Sequence, residues 1–245
     1  GLACAKCLQD QGLHDFVILE QTGQVASKWR AHYDRLHLHT SKNWSELPGK
    51  KYPSDQPKYP PKAAVVQYLE EYAREHGLKP VFNTTVQHIE RQADGLWQVQ
   101  TNHETYTAHN LIMATGLNHT PKMPQYEGLG GYTGQLLHSS QYKNGQPFTG
   151  QKVLVVGFGN SGCEQAICLH EHGAFPSLSV RSGVNVLPRD ILGMPVLEAS
   201  KLTKWLPPKI ADWINRPIVH FYIGDITRAG LRKQRYGPQG QLRKD

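Results

Sequence analysis

Four strand-forming apolar residues, Val153-Leu154-Val155-Val156, run straight into Gly157-Phe158-Gly159-Asn160-Ser161-Gly162 and then into a helix-compatible segment. The chemistry open to such a turn is to hold a pyrophosphate. Gly157 permits the tight turn, Gly159 lets the main chain approach the phosphates, and Gly162 lets helix and strand pack closely, with a helix N-terminus facing the anion. A lone G-x-G-x-x-G is a weak signal, because glycine-rich turns are common. A second copy gives it weight. Counting from Gly1, a Cys7-Leu8 pair stands six residues on, Gly12 eleven and Glu20 nineteen; counting from Gly162, Cys168-Leu169, Gly173 and Arg181 stand at the same three offsets. Repeated spacing implies two units built on one βαβ plan. Gly1 is then the last glycine of a turn whose beginning is missing, and the chain reads as a fragment.

The charges at the matching positions are opposite. A carboxylate about 20 residues past the glycines accepts hydrogen bonds from a ribose 2′-hydroxyl, so Glu20 suits FAD or NAD. An arginine there pairs with a 2′-phosphate through its charge and its fork of donors, so Arg181, with Ser182 beside it, suits NADP. The plainer alternative is that both residues end strands as solvated charges. Opposite signs at one offset argue against it.

Other residues able to do chemistry are fewer. Cys4-Ala5-Lys6-Cys7 spells C-x-x-C, which could be a redox dithiol or half a zinc site. It falls on the helix after Gly1, no second C-x-x-C completes a metal site, and buried apolar packing is the expected role of these thiols. Four cysteines in 245 residues form no disulfide framework and point to a reducing compartment. Tyr33-Asp34-Arg35-Leu36-His37-Leu38-His39-Thr40-Ser41-Lys42 is dense in hydrogen-bonding and proton-carrying groups. Its alternation fits a half-buried strand or extended loop with the histidines on the polar side.

The elements that must position these groups follow from pattern. A helix is expected from residue 2 to Gly12, and a strand over 15–20. Prolines 53, 57, 60 and 61 make a surface crossing segment, after which Val65, Val66, Leu69, Tyr72 and Ala73 fall at helical spacing up to Gly77. Residues 86–89, 96–100 and 105–108 read as antiparallel strands with a turn at Ala93-Asp94-Gly95, and 111–116 as an apolar strand ending in a small-residue turn that lets the main chain lie against a ligand. Residues 117–150 read as a linker. In 201–222 apolar and basic residues alternate around Trp205, Trp213 and Phe221. A membrane-surface helix would look like this, but Pro207, Pro208 and Pro217 are expected to break it into short pieces, which favours a lid or domain-packing segment.

The chain is long enough for two domains, and no apolar run approaches the ~20 residues of a spanning helix. Its net charge of +7 is spread along the chain, with a basic run only in Arg228, Arg232, Lys233, Arg235, Arg243 and Lys244. Such a dispersed charge suits a polyphosphate cofactor better than nucleic acid.

Several motifs together resemble the flavin-containing monooxygenases, most closely the YUCCA-type plant enzymes and their bacterial relatives. The family pattern aromatic-x-G-x-x-x-H-x-x-x-aromatic is matched by Tyr132, Gly134, His138 and Tyr142, with Tyr in place of the usual Phe at the first position. Gly159-Asn160-Ser161-Gly162, the turn Ala114-Thr115-Gly116, Tyr33-Asp34-Arg35-Leu36 and Val186-Leu187-Pro188-Arg189 are similar to family segments as well. The resemblance implies an α/β protein with two Rossmann-like dinucleotide-binding domains of the three-layer ββα/βαβ type: a FAD domain at residues 1–145, incomplete at both ends, and an NADP domain at 146–245. It implies FAD contacts at Gly1, Glu20, Lys28, Trp29, Thr40, Val86, Ala114, Thr115 and Gly116. It implies NADP contacts at Asn160, Ser161, Gly162, Arg181 and Ser182.

The implied activity is an NADPH-dependent monooxygenase. Hydride passes from NADPH to FAD, oxygen adds at the flavin C4a, and the resulting hydroperoxide oxygenates a small organic substrate, by N- or S-oxygenation or by oxidative decarboxylation of a 2-oxo acid. His39 stands where many N- and S-oxygenating members have asparagine, so His39 and Lys42 are candidates for tuning the flavin environment. Implied partners are the small-molecule substrate and O2 in a cytoplasmic setting, without nucleic acid or membrane, and a homo-oligomer is compatible. The competing readings are a pyridine-nucleotide disulfide reductase using the C-x-x-C, and a non-catalytic NADP-binding module.

Overall fold

A computed structural model describes residues 1–116, 120–201, 203, 205–234 and 237–238. The chain forms two compact units, one of Gly1–Leu38 with Lys42–Lys143, the other of His39–Ser41 with Asn144 onward.

The first unit opens with α1 (Leu2–Asp10) and the short α2 (Ser27–Ala31), and its core is built on α3 (Lys62–Glu75). Of the helical spacing read in the sequence, Val65, Val66, Tyr72 and Ala73 lie inside, Leu69 is half-buried against the core, and Tyr68, which that spacing did not include, is buried with them. Tyr72 and Ala73 meet Ala5 of α1 and Leu78, while Val65 and Tyr68 meet Leu38 and Tyr52. The Tyr52 and Tyr68 rings stack with centroids 4.0 Å apart. Buried tyrosines need partners for their hydroxyls, and the turn at residues 47–50 supplies them. Tyr68 Oη accepts from the Leu47 amide at 2.8 Å and donates to the Lys50 carbonyl at 2.7 Å, and Tyr72 Oη donates to the Pro48 carbonyl at 2.7 Å. Burial holds the Tyr72 phenol well above its usual range, to about 12.

An antiparallel sheet follows, β1 (Val86–Arg91), β2 (Trp97–Thr101) and β3 (Thr105–Ala108), with the β1–β2 turn at Asp94-Gly95 as expected and a register irregularity between Val86 and His88. Two expected strands do not form ladders. Over 15–20 only Leu19 bridges Val81, and 111–116 is extended without a partner, leaving Ile112 and Met113 exposed. Both are apolar runs of the kind found in parallel sheets, and such a strand exists only when neighbours pair with it. Among the described residues 111–116 has no such neighbour, and 15–20 meets only the chain at Val81. The proline segment before α3 is not wholly at the surface either, since Tyr52 and Pro60 are buried.

In the second unit, β4 (Lys152–Val156) pairs in parallel with β5 (Phe175–Ser179), and α4 (Asn160–Glu171) connects them, burying Gln165, Ala166, Cys168 and Leu169. Then come the hairpin β6 (Asp190–Ile191) and β7 (Met194–Pro195), α5 (Val196–Lys201) and α6 (Pro208–Ile223). Contrary to the sequence expectation, Pro217 does not break α6, which runs unbroken through it. Pro208 sits at the helix start, where its missing N–H is no loss. Pro217 and Trp213 both stand on the exposed side, so water can reach the Trp213 carbonyl that the proline leaves without a donor. Lys233 pairs with Asp225 at 2.9 Å and holds that carboxyl down at about 2; Arg235, Arg243 and Lys244 of the basic run lie outside the described residues. Among the described residues no helix is long and apolar enough to cross a membrane, and no cluster of His, Cys, Asp and Glu could hold a metal ion.

Candidate dinucleotide-binding site

The turn after β4 has the geometry its sequence implies. Gly157 adopts φ +113, a region closed to residues with a Cβ, and Gly159 is the extended N-cap of α4. A Cβ added at Gly162 would stand 2.5 Å from the Gly157 carbonyl oxygen, so only glycine lets α4 start this close to the strand end. A Cβ at Gly157 or Gly159 would meet nothing within 4 Å, which leaves the outer side of the turn open. No side chain caps α4; its first backbone bond runs from the Cys163 amide to the Gly159 carbonyl at 3.0 Å. The amides of Asn160, Ser161 and Gly162 thus stand at an open helix N-terminus that suits a phosphate. The Gly157 amide donates to the Ser179 carbonyl at 3.0 Å. This bond carries the β4–β5 ladder into the turn and brings the end of β5, two residues before the exposed Arg181 and Ser182, to the same edge as the glycines.

α1 repeats this construction. Its N-cap is Gly1, it has no side-chain cap, and its first bond runs from the Ala5 amide to the Gly1 carbonyl at 3.0 Å. The two helices also end alike. Gly12 and Gly173 are both left-handed, at φ +75 and +78, and the Leu13 amide reaches the Leu8 carbonyl as the Ala174 amide reaches the Leu169 carbonyl, both at 3.0 Å. These are six-to-one helix closures, at the same offset from Gly1 and from Gly162. The match stops at the cysteines. Cys168 is buried but Cys7 is exposed and Cys4 half-buried, which corrects the expectation that these thiols fill core space.

Glu20 ends the extended segment after α1, its Oε1 accepting from the Thr22 amide at 2.9 Å and the Thr22 hydroxyl at 2.7 Å. Ala114, Thr115 and Gly116 are exposed, with Gly116 at φ +79. Lys28 and Trp29 lie on α2, where Trp29 packs against the Leu38–Tyr52 cluster. Val86 begins β1 opposite Thr101 and is exposed. His39, Thr40 and Ser41 fall in the second unit, where the buried Ser41 donates to Glu198 at 3.3 Å; His39 is exposed and Thr40 half-buried. Lys42 is differently engaged. Its ammonium donates to the carbonyls of Pro53, Ser54 and Gln56 at 3.0, 2.9 and 2.6 Å, so its three protons pin the proline segment. Of the family pattern, Tyr142 is buried, His138 half-buried and Tyr132 exposed; His138 closes a local turn through Ser140 and Gln141.

One residue escaped the sequence reading. Burial holds His32 below the usual histidine range, helped by Lys143, Lys62 and Lys28. It lies 6.2 Å from the Trp29 ring, ring centre to ring centre. Two of those three lysines are remote in sequence, so no local spacing could reveal it.

Residues 1–186 match the pyridine nucleotide-disulphide oxidoreductase family. The chain belongs to that family. Within it the chain is 43% identical over 241 residues to the probable indole-3-pyruvate monooxygenase YUCCA4 of Arabidopsis thaliana, covering 97% of this chain and 58% of that protein. It is 40% identical to the indole-3-pyruvate monooxygenase YUCCA1 of Oryza sativa subsp. japonica, covering 97% and 59%. The chain thus spans less than two thirds of the length of these relatives. Among solved structures it superposes on a flavin-containing monooxygenase of Stenotrophomonas maltophilia with a TM-score of 0.71 at 26% identity, over 84% of this chain and 66% of that one. The bacillithiol disulfide reductase Bdr of Staphylococcus aureus matches with a TM-score of 0.67 over 89% of this chain and 61% of that one, but at 18% identity it shares the fold alone. The α/β architecture of this pyridine nucleotide-disulphide oxidoreductase chain is therefore that of the flavin monooxygenases.

Proposed function

We propose that this chain is the nucleotide-binding part of an NADPH-dependent flavin monooxygenase, with FAD held by residues 1–145 and NADP by 146–245. The observation that carries the reading is the open helix start at Gly157–Gly162, with Arg181 following the strand that the Gly157 amide ties to the turn. The amides of Asn160 to Gly162 bind the NADP pyrophosphate, and Arg181 with Ser182 takes the 2′-phosphate. The N-terminus of α1 faces the FAD pyrophosphate, and Glu20, its Oε1 oriented by Thr22, takes a ribose hydroxyl through its other oxygen. Ala114 to Gly116 lets the main chain lie against the flavin nucleotide, and Lys28, Trp29, Thr40 and Val86 contribute contacts. His39 tunes the polarity around the flavin; Lys42 acts indirectly, by fixing the 53–56 loop.

Bound flavin supplies the redox and oxygen-activating chemistry, and the protein's share is position, dryness and charge. The names of the plant relatives favour a 2-oxo acid substrate undergoing oxidative decarboxylation over N- or S-oxygenation. The four free thiols fit a reducing, cytoplasmic setting.

The polypeptide bearing this chain should purify yellow, lose its colour with NADPH and consume oxygen; persistent absence of flavin would refute the reading. A disulfide reductase would need Cys4 and Cys7 as its dithiol. They stand one turn apart on α1, Cys7 exposed. Alkylation of both should leave NADPH-driven oxygen uptake intact, and its loss would favour the reductase.

A further inference from the structure

We propose that the outer face of α6 is a seat on the surface of an anionic lipid bilayer. Such a seat is independent of nucleotide binding. Ile210, Trp213, Ile214, Pro217, Ile218 and Phe221 recur at spacings of three and four, the period of one helix face, and every one of them is exposed, while the buried residue of the helix is Ala211. An ordinary surface helix turns such a stripe inward. Here Trp213 is 75% and Phe221 84% exposed. The hairpin between β6 and β7 adds an apolar tip. Leu192 occupies the left-handed region at φ +50, which disfavours leucine, and stands 90% exposed. Its amide donates to Tyr222 Oη at 2.8 Å, which fixes the tip beside the stripe and closes a groove of about 310 Å³ between them.

Charge selects the occupant. At 100° per residue Lys209, Arg216 and His220 form a row along one edge of the stripe, all exposed, whereas the one acid of α6, Asp212, lies on the half-buried side. An apolar stripe with tryptophan and phenylalanine, edged by cations, is the pattern of a helix lying in a membrane interface. A second copy of this face would set like charges together. The helix is about 24 Å long, contains Pro217, and is not apolar enough to cross a bilayer, so it lies on the surface. Prolines that fragmented this segment would rule such a seat out, and α6 runs unbroken through Pro217.

Flotation of the polypeptide bearing this chain tests this, using vesicles of phosphatidylcholine alone and with roughly a quarter phosphatidylglycerol. It should float with the anionic vesicles, less so as salt rises. Lys209→Gln with Arg216→Gln should weaken that binding by about thirtyfold, at about fivefold per cation, and Trp213→Ser with Phe221→Ser should abolish it. Circular dichroism checks that each variant is folded, and the charge pair keeps the test decisive if the apolar pair unfolds. Absence of binding to anionic vesicles, or binding that neither pair changes, overturns the proposal. So does a lipid-free dimer in sedimentation velocity that Phe221→Ser dissociates while vesicles capture nothing, which would assign the face to a second copy.

Discussion

At the scale of single residues, Gly162 states the case for the turn most sharply, because its role is steric and needs no ligand to be tested. Gly162→Ala places a methyl 2.5 Å from the Gly157 carbonyl oxygen, which is backbone and cannot rotate away. The variant should lose about 1–3 kcal/mol of stability, read as a lower Tm, together with NADPH retention. His32 gives a pH signature. Its folded-state pKa lies below the unfolded value, so the unfolded chain binds the extra proton, and stability contributed by the neutral ring is present above about pH 6.5 and is lost as pH falls toward the folded pKa. Denaturant titrations should show that slope, and His32→Asn should flatten it; an unchanged slope would place the burden on other groups. The glycines, Glu20 and Arg181 were legible from spacing alone. The commitments of Lys42 and the surroundings of His32 were not, because their partners are brought in by the fold.

Elements were legible where the pattern carried its own partner. α3 declared its buried face through Val65, Val66, Leu69, Tyr72 and Ala73, and β1 to β3 declared themselves because a hairpin turn brings the neighbour along. The segments at 15–20 and 111–116 could not, since an apolar parallel strand is defined by chain that is distant in sequence. α6 departs from its local pattern for the opposite reason: Pro217 looks decisive locally, yet one missing amide on a solvated face leaves the rest of the ladder intact. Packing predictions belong at this scale. Leu169 is 1% exposed on α4, so Leu169→Ala should cost about 2–5 kcal/mol in chemical denaturation. Tyr72→Phe leaves the Pro48 carbonyl without its donor and should cost about 1 kcal/mol, with the α3 core otherwise kept.

Across the whole molecule, the repeat matters more than either copy. Two helices starting on glycine without side-chain caps, and closing through left-handed glycines at the same offset, are hard to explain by local convenience. In the function we propose, the difference between the copies chooses the ligands: a carboxylate after the first, a guanidinium after the second. The most direct measurement is equilibrium binding of NADPH and NADH to the wild-type protein and to Arg181→Ala. A lost charge-assisted contact of about 1.5–3 kcal/mol should weaken NADPH by roughly ten- to a hundredfold and leave NADH nearly unchanged. Equal losses for both nucleotides, or none for either, would contradict the account.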